Sequence, residues 1–306
     1  MIDVSIIIVT YNGKEVTLKG IESYIKAISA DKLHTYEIIV VDNCSKDGVA
    51  DAVAKSFPEV KLIRNTDNLG FAKANNVGFT ASSGRYILFS NPDIENFENT
   101  VPELVSFMDS NKDVGACTPF LELVKTGMLD WPSHRGFPTP WASFCYYTGL
   151  QKLFSSSKTL SRVFGKYHLL DRDMNVTHEV DSITGAFFFV RREVFEKVGK
   201  WDEAYFMYAE DLDLSFQIKK LGFKIMFLPH IKALHYHGLV SGLKAETKEI
   251  TKADPETRAR AYNSFYDTMK IFYDKNLRRD YPEFVRSAVF WAIEYKQKKG
   301  SKAKRV

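Results

Sequence analysis

Two runs near the N-terminus, VSIIIVT at Val4–Thr10 and IIVV at Ile38–Val41, consist almost wholly of β-branched residues without polar alternation. Such runs fit strands covered on both faces, as in a parallel sheet between two layers of helix. Between and after them the period changes. EVTLKGIESYIKAI, GVADAVAKSF and GFAKANNVGFTAS space their apolar residues helically, while VKLIRN and RYILFSNPD return to strand character. Strand and helix thus alternate through about residue 95, which predicts βαβ units and a mostly parallel sheet flanked by helices. Ligands of such sheets sit beyond the carboxyl ends of the strands. The polar clusters Thr10-Tyr11-Asn12, Asp42-Asn43 and Asn91-Pro92-Asp93 all fall at predicted strand ends.

The remainder is less regular. Pro119 to about Glu179 reads as an irregular, aromatic-rich middle containing DWPSHRGFPTPWASFCYYTG. SITGAFFFVRREVFEKVG then predicts a strand leading into a helix, EDLDLSFQIKKLG a helix ended by Gly222, and KIMFLPHIKALHYHG one or two short strands. Two amphipathic helices, ETRARAYNSFYDTMKIFYDKN and EFVRSAVFWAIEYKQKK, close the chain. The domain reading is a main unit over 1–250, halved at about residue 95, with helices and a basic tail over 251–306.

Composition bounds the function. The chain has 306 residues, a formal charge of +4, 45% hydrophobic and 26% charged residues, which describe an ordinary globular protein and give no argument for nucleic acid. Three widely spaced cysteines, Cys44, Cys117 and Cys145, form no CxxC pair, so neither a disulfide framework nor a structural zinc site is expected. No stretch approaches the roughly 18 apolar residues of a membrane span, and the N-terminus lacks the features of a signal peptide. A cytoplasmic protein is expected. After Trp291 the tail carries six Lys or Arg against one acid, so it either lies peripherally on the inner face of the cell membrane or is a solvated tail.

The candidate chemistry lies in the acids. Asp42 and Asp93 each follow a buried strand, where an acid can cap the next helix, accept a pyrimidine imide N–H, or hold a divalent cation through hard oxygen ligation. Neither GxxxxGK[ST] nor GxGxxG occurs, so a bound nucleotide diphosphate would rely on a metal for neutralisation. Glu210, Asp211 and Asp213 crowd the start of a predicted helix, where the dipole favours acids. The preceding FMYA could raise a carboxylate's pKa toward that of a general base. His235 and His237 fall on one face of a strand, a spacing that suits either a mixed N/O metal site or two surface histidines.

Taken together, VSIIIVTYNG, IIVVDNCSKDG, NLGFAKANNVGF, FSNPD, DSITGAFFFVRREVFEKVGKWDEAYFMYAEDLDLSFQIKKLGF and HYHG resemble the family 2 glycosyltransferases, in their bacterial rhamnosyltransferase-like branch, over roughly Val4 to Ser241. The resemblance implies a GT-A (nucleotide-diphospho-sugar transferase) fold with a C-terminal helical extension. It implies inverting hexosyl transfer, rhamnose leading, from a dTDP- or UDP-sugar to a glycan or polyprenyl-diphosphate-linked acceptor. Thr10, Tyr11 and Asn12 would line the base pocket, with Asp42 on the pyrimidine and Asn68 and Gly70 near the ribose or diphosphate. Asp93 matches the last acid of the DXD metal motif, with Asn91 in place of the first. Asp93 and His235 would hold Mg²⁺ or Mn²⁺, His237 being the alternative histidine. Asp211 would be the catalytic base, Glu210 its support or an acceptor contact, and Arg135 a phosphate contact. The rival readings are a nucleotide-sugar-binding subunit or scaffold without turnover, which Asn91 favours, and a nucleotidyltransferase, which lacks its glycine- and arginine-rich loop here.

Overall fold

A computed structural model describes residues 2–236 and 255–303, with the side chains of 255–258 and 301–303 excepted. The N-terminal half is β1 (Val4–Thr10), α1 (Lys14–Ala30), β2 (Tyr36–Asp42), α2 (Val49–Ser56), β3 (Lys61–Arg64), α3 (Phe71–Thr80) and β4 (Tyr86–Ser90). Then follow β5 (Ile94–Asn96), α4 (Thr100–Ser110), β6 (Val114–Leu123), α5 (Pro140–Thr148), α6 (Leu150–Leu153) and α7 (Lys158–Phe164). The rest comprises β7 (His178–Glu179), β8 (Phe187–Arg191), α8 (Arg192–Lys197), α9 (Glu210–Lys220), β9 (Lys224–His235), α10 (Pro255–Phe272) and α11 (Glu283–Ala303).

The strands form one mixed sheet in the order β3-β2-β1-β4-β8-β6-β9-β5, with β7 also on β9. β1 is the hub of the first half. It pairs parallel with β2 from Val4↔Tyr36 to Thr10↔Asp42, and parallel with β4 from Val4↔Tyr86 to Ile8↔Ser90. The β-branched runs explain this. Val4, Ile6, Ile8, Ile38 and Val40 face one core layer with residues of α1 and α4, whereas Ile7, Ile39 and Val41 face the other with residues of α3, α8 and α9. Each such fully buried side chain contributes roughly 1.5–3 kcal/mol.

Two expectations change. The middle is not wholly irregular: β6 runs on to Leu123, and α5, α6 and α7 occupy 140–164. The β9 segment is a single strand whose pairing with β6 jumps from Leu228 to Lys232, so Pro229 sits in a bulge, where its missing N–H is tolerated. The cysteines are free thiols, and no helix among the described residues is long and apolar enough to cross a membrane.

The third acid of the crowded segment has a structural task. Buried Asp213 accepts from Lys275 Nζ at 2.8 Å and from Asn276 Nδ2 at 2.7 Å, tying α9 to the π-helical turn Tyr273–Leu277 that follows α10. Lys275 also reaches Asp202 at 2.6 Å. Lys275→Met, which leaves buried Asp213 without a cation and with only Asn276 and the Tyr205 hydroxyl as side-chain partners, should destabilise the chain by about 2 kcal/mol in denaturant titrations. Adding Asp213→Asn should recover part of that loss; strict additivity would show that the pair is not coupled.

Candidate active site

The carboxyl ends of β1, β2 and β4 open onto a cavity of about 1600 Å³. Its floor carries Asp93, Asp211, Glu210 and His235, and its far wall comes from α5, α10 and α11. A pocket for one small ligand is usually a few hundred to about 1,000 Å³, so this space has room for two substrates.

Neither Asp42 nor Asp93 caps a helix. β5 follows Asp93, and the residue before α2 is Gly48. Asp93 Oδ1 lies 3.5 Å from His235 Nε2, on the last residue of β9, because Ile94 pairs with His235 across the sheet. His235 Nδ1 lies 2.9 Å from Asp130 Oδ2. Burial pushes the imidazolium down, but Asp93 and Asp130 outweigh it and hold the histidine up at about 10. The protein has therefore built a buried site rich in negative charge that favours a cation. His237 lies outside the described residues.

Asp211 sits in the first turn of α9. Its Oδ1 accepts from the Leu212 amide at 2.8 Å, and its Oδ2 accepts from the Gly185 amide at 3.1 Å. Arg135 Nη2 lies 2.8 Å from the same Oδ2, both side chains being nearly buried. The expected phosphate contact Arg135 thus lines the cavity but is committed to Asp211. Buried Glu210 is pushed up to about 8, first by desolvation and then by the charge of Asp211. The two neighbours therefore differ: one carboxyl tends to stay neutral, and the other is paired to a guanidinium.

The turn that delivers them is strained. Tyr208 and Ala209 have φ of 74° and 63°, a left-handed pair that costs of order 1–2 kcal/mol per non-glycine residue. It is fixed from outside, since the Phe71 amide donates to Phe206 O at 2.7 Å. Gly70 makes that approach possible, because a Cβ there would lie 2.4 Å from Phe206 O.

Tyr11, Asn68, Gly70, Asn91, Asp93, Arg135, Glu210, Asp211 and His235 all line the cavity, whereas Thr10, Asn12 and Asp42 do not. The reasons are local. Thr10 Oγ1 is 2.7 Å from Thr17 Oγ1 on α1, Asn12 Oδ1 accepts from the Lys46 amide, and Asp42 Oδ1 accepts from the Ser45 amide. These three brace the loops that present Tyr11 and Lys46. Sequence reasoning noted Asn43 in a strand-end cluster but gave it no role; its Nδ2 donates to Asn68 Oδ1 at 2.9 Å. It missed Asp130, for which a loop sequence held no signal, and Arg260, set over the Phe206 ring at 3.7 Å.

Comparison with known proteins agrees with this architecture. The family model described as Glycosyl transferase family 2 matches residues 5–199. N-acetylglucosaminyl-diphospho-decaprenol L-rhamnosyltransferase of Mycobacterium tuberculosis is 24% identical over 72% of this chain and 73% of its own length. Rhamnosyltransferase WbbL of Escherichia coli is 26% identical over 71% of this chain and 80% of its own. The mannosyltransferase PcManGT from Pyrobaculum calidifontis, solved with GDP-Man and Mn²⁺, superposes with a TM-score of 0.53 at 18% identity, covering 85% of this chain and 69% of that one. The chain belongs to glycosyl transferase family 2 and is a glycosyltransferase of the GT-A fold.

Proposed function

We propose that the chain is an inverting, metal-dependent rhamnosyltransferase. On this reading it moves a hexose from a dTDP- or UDP-sugar to a hydroxyl of a polyprenyl-diphosphate-linked saccharide or another glycan acceptor. The observation that carries it is the placement of Asp211 and the Asp93–His235 pair on the floor of one two-substrate cavity. The sugar and acceptor classes rest on the two rhamnosyltransferases it resembles, one of them acting on a decaprenol diphosphate.

Asp93 and His235 fit a divalent cation. Asp93 offers a hard oxygen, and His235 would offer its Nε2 once the ion displaces the proton held there, with Asp130 holding the other ring nitrogen as metal-binding histidines require. Among the described residues no cluster of three or more such side chains is disposed to hold a metal by itself, so diphosphate oxygens would complete the shell. When bound, the ion would neutralise charge developing on the departing nucleoside diphosphate. Tyr11, Asn43, Lys46 and Asn68 would form the nucleotide end.

Asp211 acts as base. Its Oδ1 retains a lone pair beyond the Leu212 amide, and it takes the acceptor hydroxyl proton as that oxygen bonds to the anomeric carbon. The bond from the anomeric carbon to the diphosphate oxygen breaks on the opposite face, and the diphosphate leaves with the electron pair. Arg135 and the Gly185 amide hold the base in one orientation. Glu210, largely neutral near neutral pH, can hold the acceptor without repelling the base.

Asp211→Asn should lower the transfer rate by roughly 10²–10⁴-fold with donor affinity unchanged in calorimetry, and an active variant would remove Asp211 as base. Glu210 binds its proton more tightly in the folded chain, so the stability it contributes is present below its usual 4.5 and lost as pH rises through about 8. Denaturation midpoints of Glu210→Gln should therefore gain on wild type across that window, and parallel profiles would refute the shift. In thermal-shift assays with UDP, TDP, GDP or CDP, Mn²⁺ should bring stabilisation by a pyrimidine diphosphate that EDTA or Asp93→Ala abolishes. Absence of any shift would favour a scaffold without turnover.

A further inference from the structure

Helices α5 to α7 present a surface unlike an ordinary solvated one. From Pro140 to Lys166 the chain carries Lys152, Lys158, Arg162 and Lys166 and no acid. All four cations are exposed. Among the described residues Lys152, Lys158 and Lys166 make no ion pair, and Arg162 lies 3.9 Å from Asp171. Between these cations Trp141, Phe144, Leu153, Leu160 and Val163 are also exposed, Leu153 by 69%. Four of them, Trp141, Phe144, Leu160 and Val163, adjoin one another. Trp141 stacks 5.8 Å from Phe144, its Nε1–H donates to Val163 O at 2.9 Å, and Leu160 lies one turn from Val163.

Single exposed apolar residues are unremarkable, whereas contiguous ones mark a contact surface. Charge selects the partner, since three exposed lysines outside any ion pair in a stretch without acids call for an anionic one. Nucleic acid would use flat rings along a basic groove and has no use for exposed leucines. An anionic bilayer meets both groups, with phosphates at the cations and the acyl boundary at Trp, Phe and Leu. Position agrees with this choice. Phe144 and Tyr147 of α5 also line the cavity, and Lys296 of α11 sits 3.2 Å from the Tyr147 ring centroid. α11 also carries exposed Trp291 and Tyr295.

We propose that α5–α7 lie on an anionic membrane surface with the mouth of the cavity facing the lipid. The sequence left the basic tail between membrane contact and solvation, and α5–α7 are a separate candidate surface. This docking stands independently of the transfer reaction.

The test is sedimentation of the full chain with vesicles of phosphatidylcholine, or of equimolar phosphatidylcholine and phosphatidylglycerol, with circular dichroism to check folding. Wild type should bind the anionic vesicles and be released by salt. Lys152→Gln with Lys158→Gln should raise the lipid concentration for half-binding on the order of 25-fold, and Leu153→Ser with Leu160→Ser should also weaken it. No wild-type binding, equal binding to neutral vesicles, or unchanged binding by both variants would overturn the proposal. Loss confined to Lys298→Gln with Lys299→Gln would place the contact on the tail instead. Self-association abolished by the leucine variant, without vesicle binding, would make the surface an interface between copies.

Discussion

Asp211 joins three segments that are distant in the chain: the loop bearing Arg135, the turn at Gly185 before β8, and the start of α9. A nearly buried carboxylate is tolerated only when paired and hydrogen-bonded, since removing it from water costs several kcal/mol. The pairing therefore constrains more than chemistry. The Arg135 backbone bridges Ser182, so the guanidinium, the Gly185 turn and the floor of the cavity are set together. The strained pair Tyr208–Ala209 is the local cost of delivering two acids into that arrangement.

Around this point the cavity has two characters. The end nearest β1, β2 and β4 is polar and rigid, bounded by strand termini and loops braced by Thr10, Asn12 and Asp42. The end formed by α5, α10 and α11 is largely apolar, with Phe265, Phe272, Val289 and Ile293 on its wall. One end suits a charged, hydrated nucleotide and the other a substrate carrying hydrocarbon. The same chain thus separates two solvation environments on either side of a single pair of acids.

Much of this was legible from residues alone, for identifiable reasons. β1, β2 and β4 were readable because burial on both faces leaves an uninterrupted apolar run, and Asp93, Glu210 and Asp211 because acids stood where apolar neighbours made them conspicuous. Helices α5–α7 were not, since elements of four to nine residues are held by tertiary contacts and carry too few turns for a period to show. For Thr10 and Asp42 the strand-end position could not say which way each side chain turns. Thr10 turned to α1 and Asp42 to its own loop. Asp130 reaches His235 across 105 positions, a relation created by the pairing of β6 with β9 and invisible in either segment.

The contact at Gly70 bears on how such a chain can be recombined. The segment carrying the acids leans its backbone on the first turn of α3, so the β1–β4 half and the acid-bearing half share a seam with no room for one additional carbon. They are not interchangeable modules. A chimaera that took its first 95 residues from a relative would have to bring a glycine at this position, or rebuild Phe206 through Ala209 to clear whatever side chain arrived. Changes of specificity in such enzymes are thus more readily made by substitutions within the β1–β4 half than by swapping it whole.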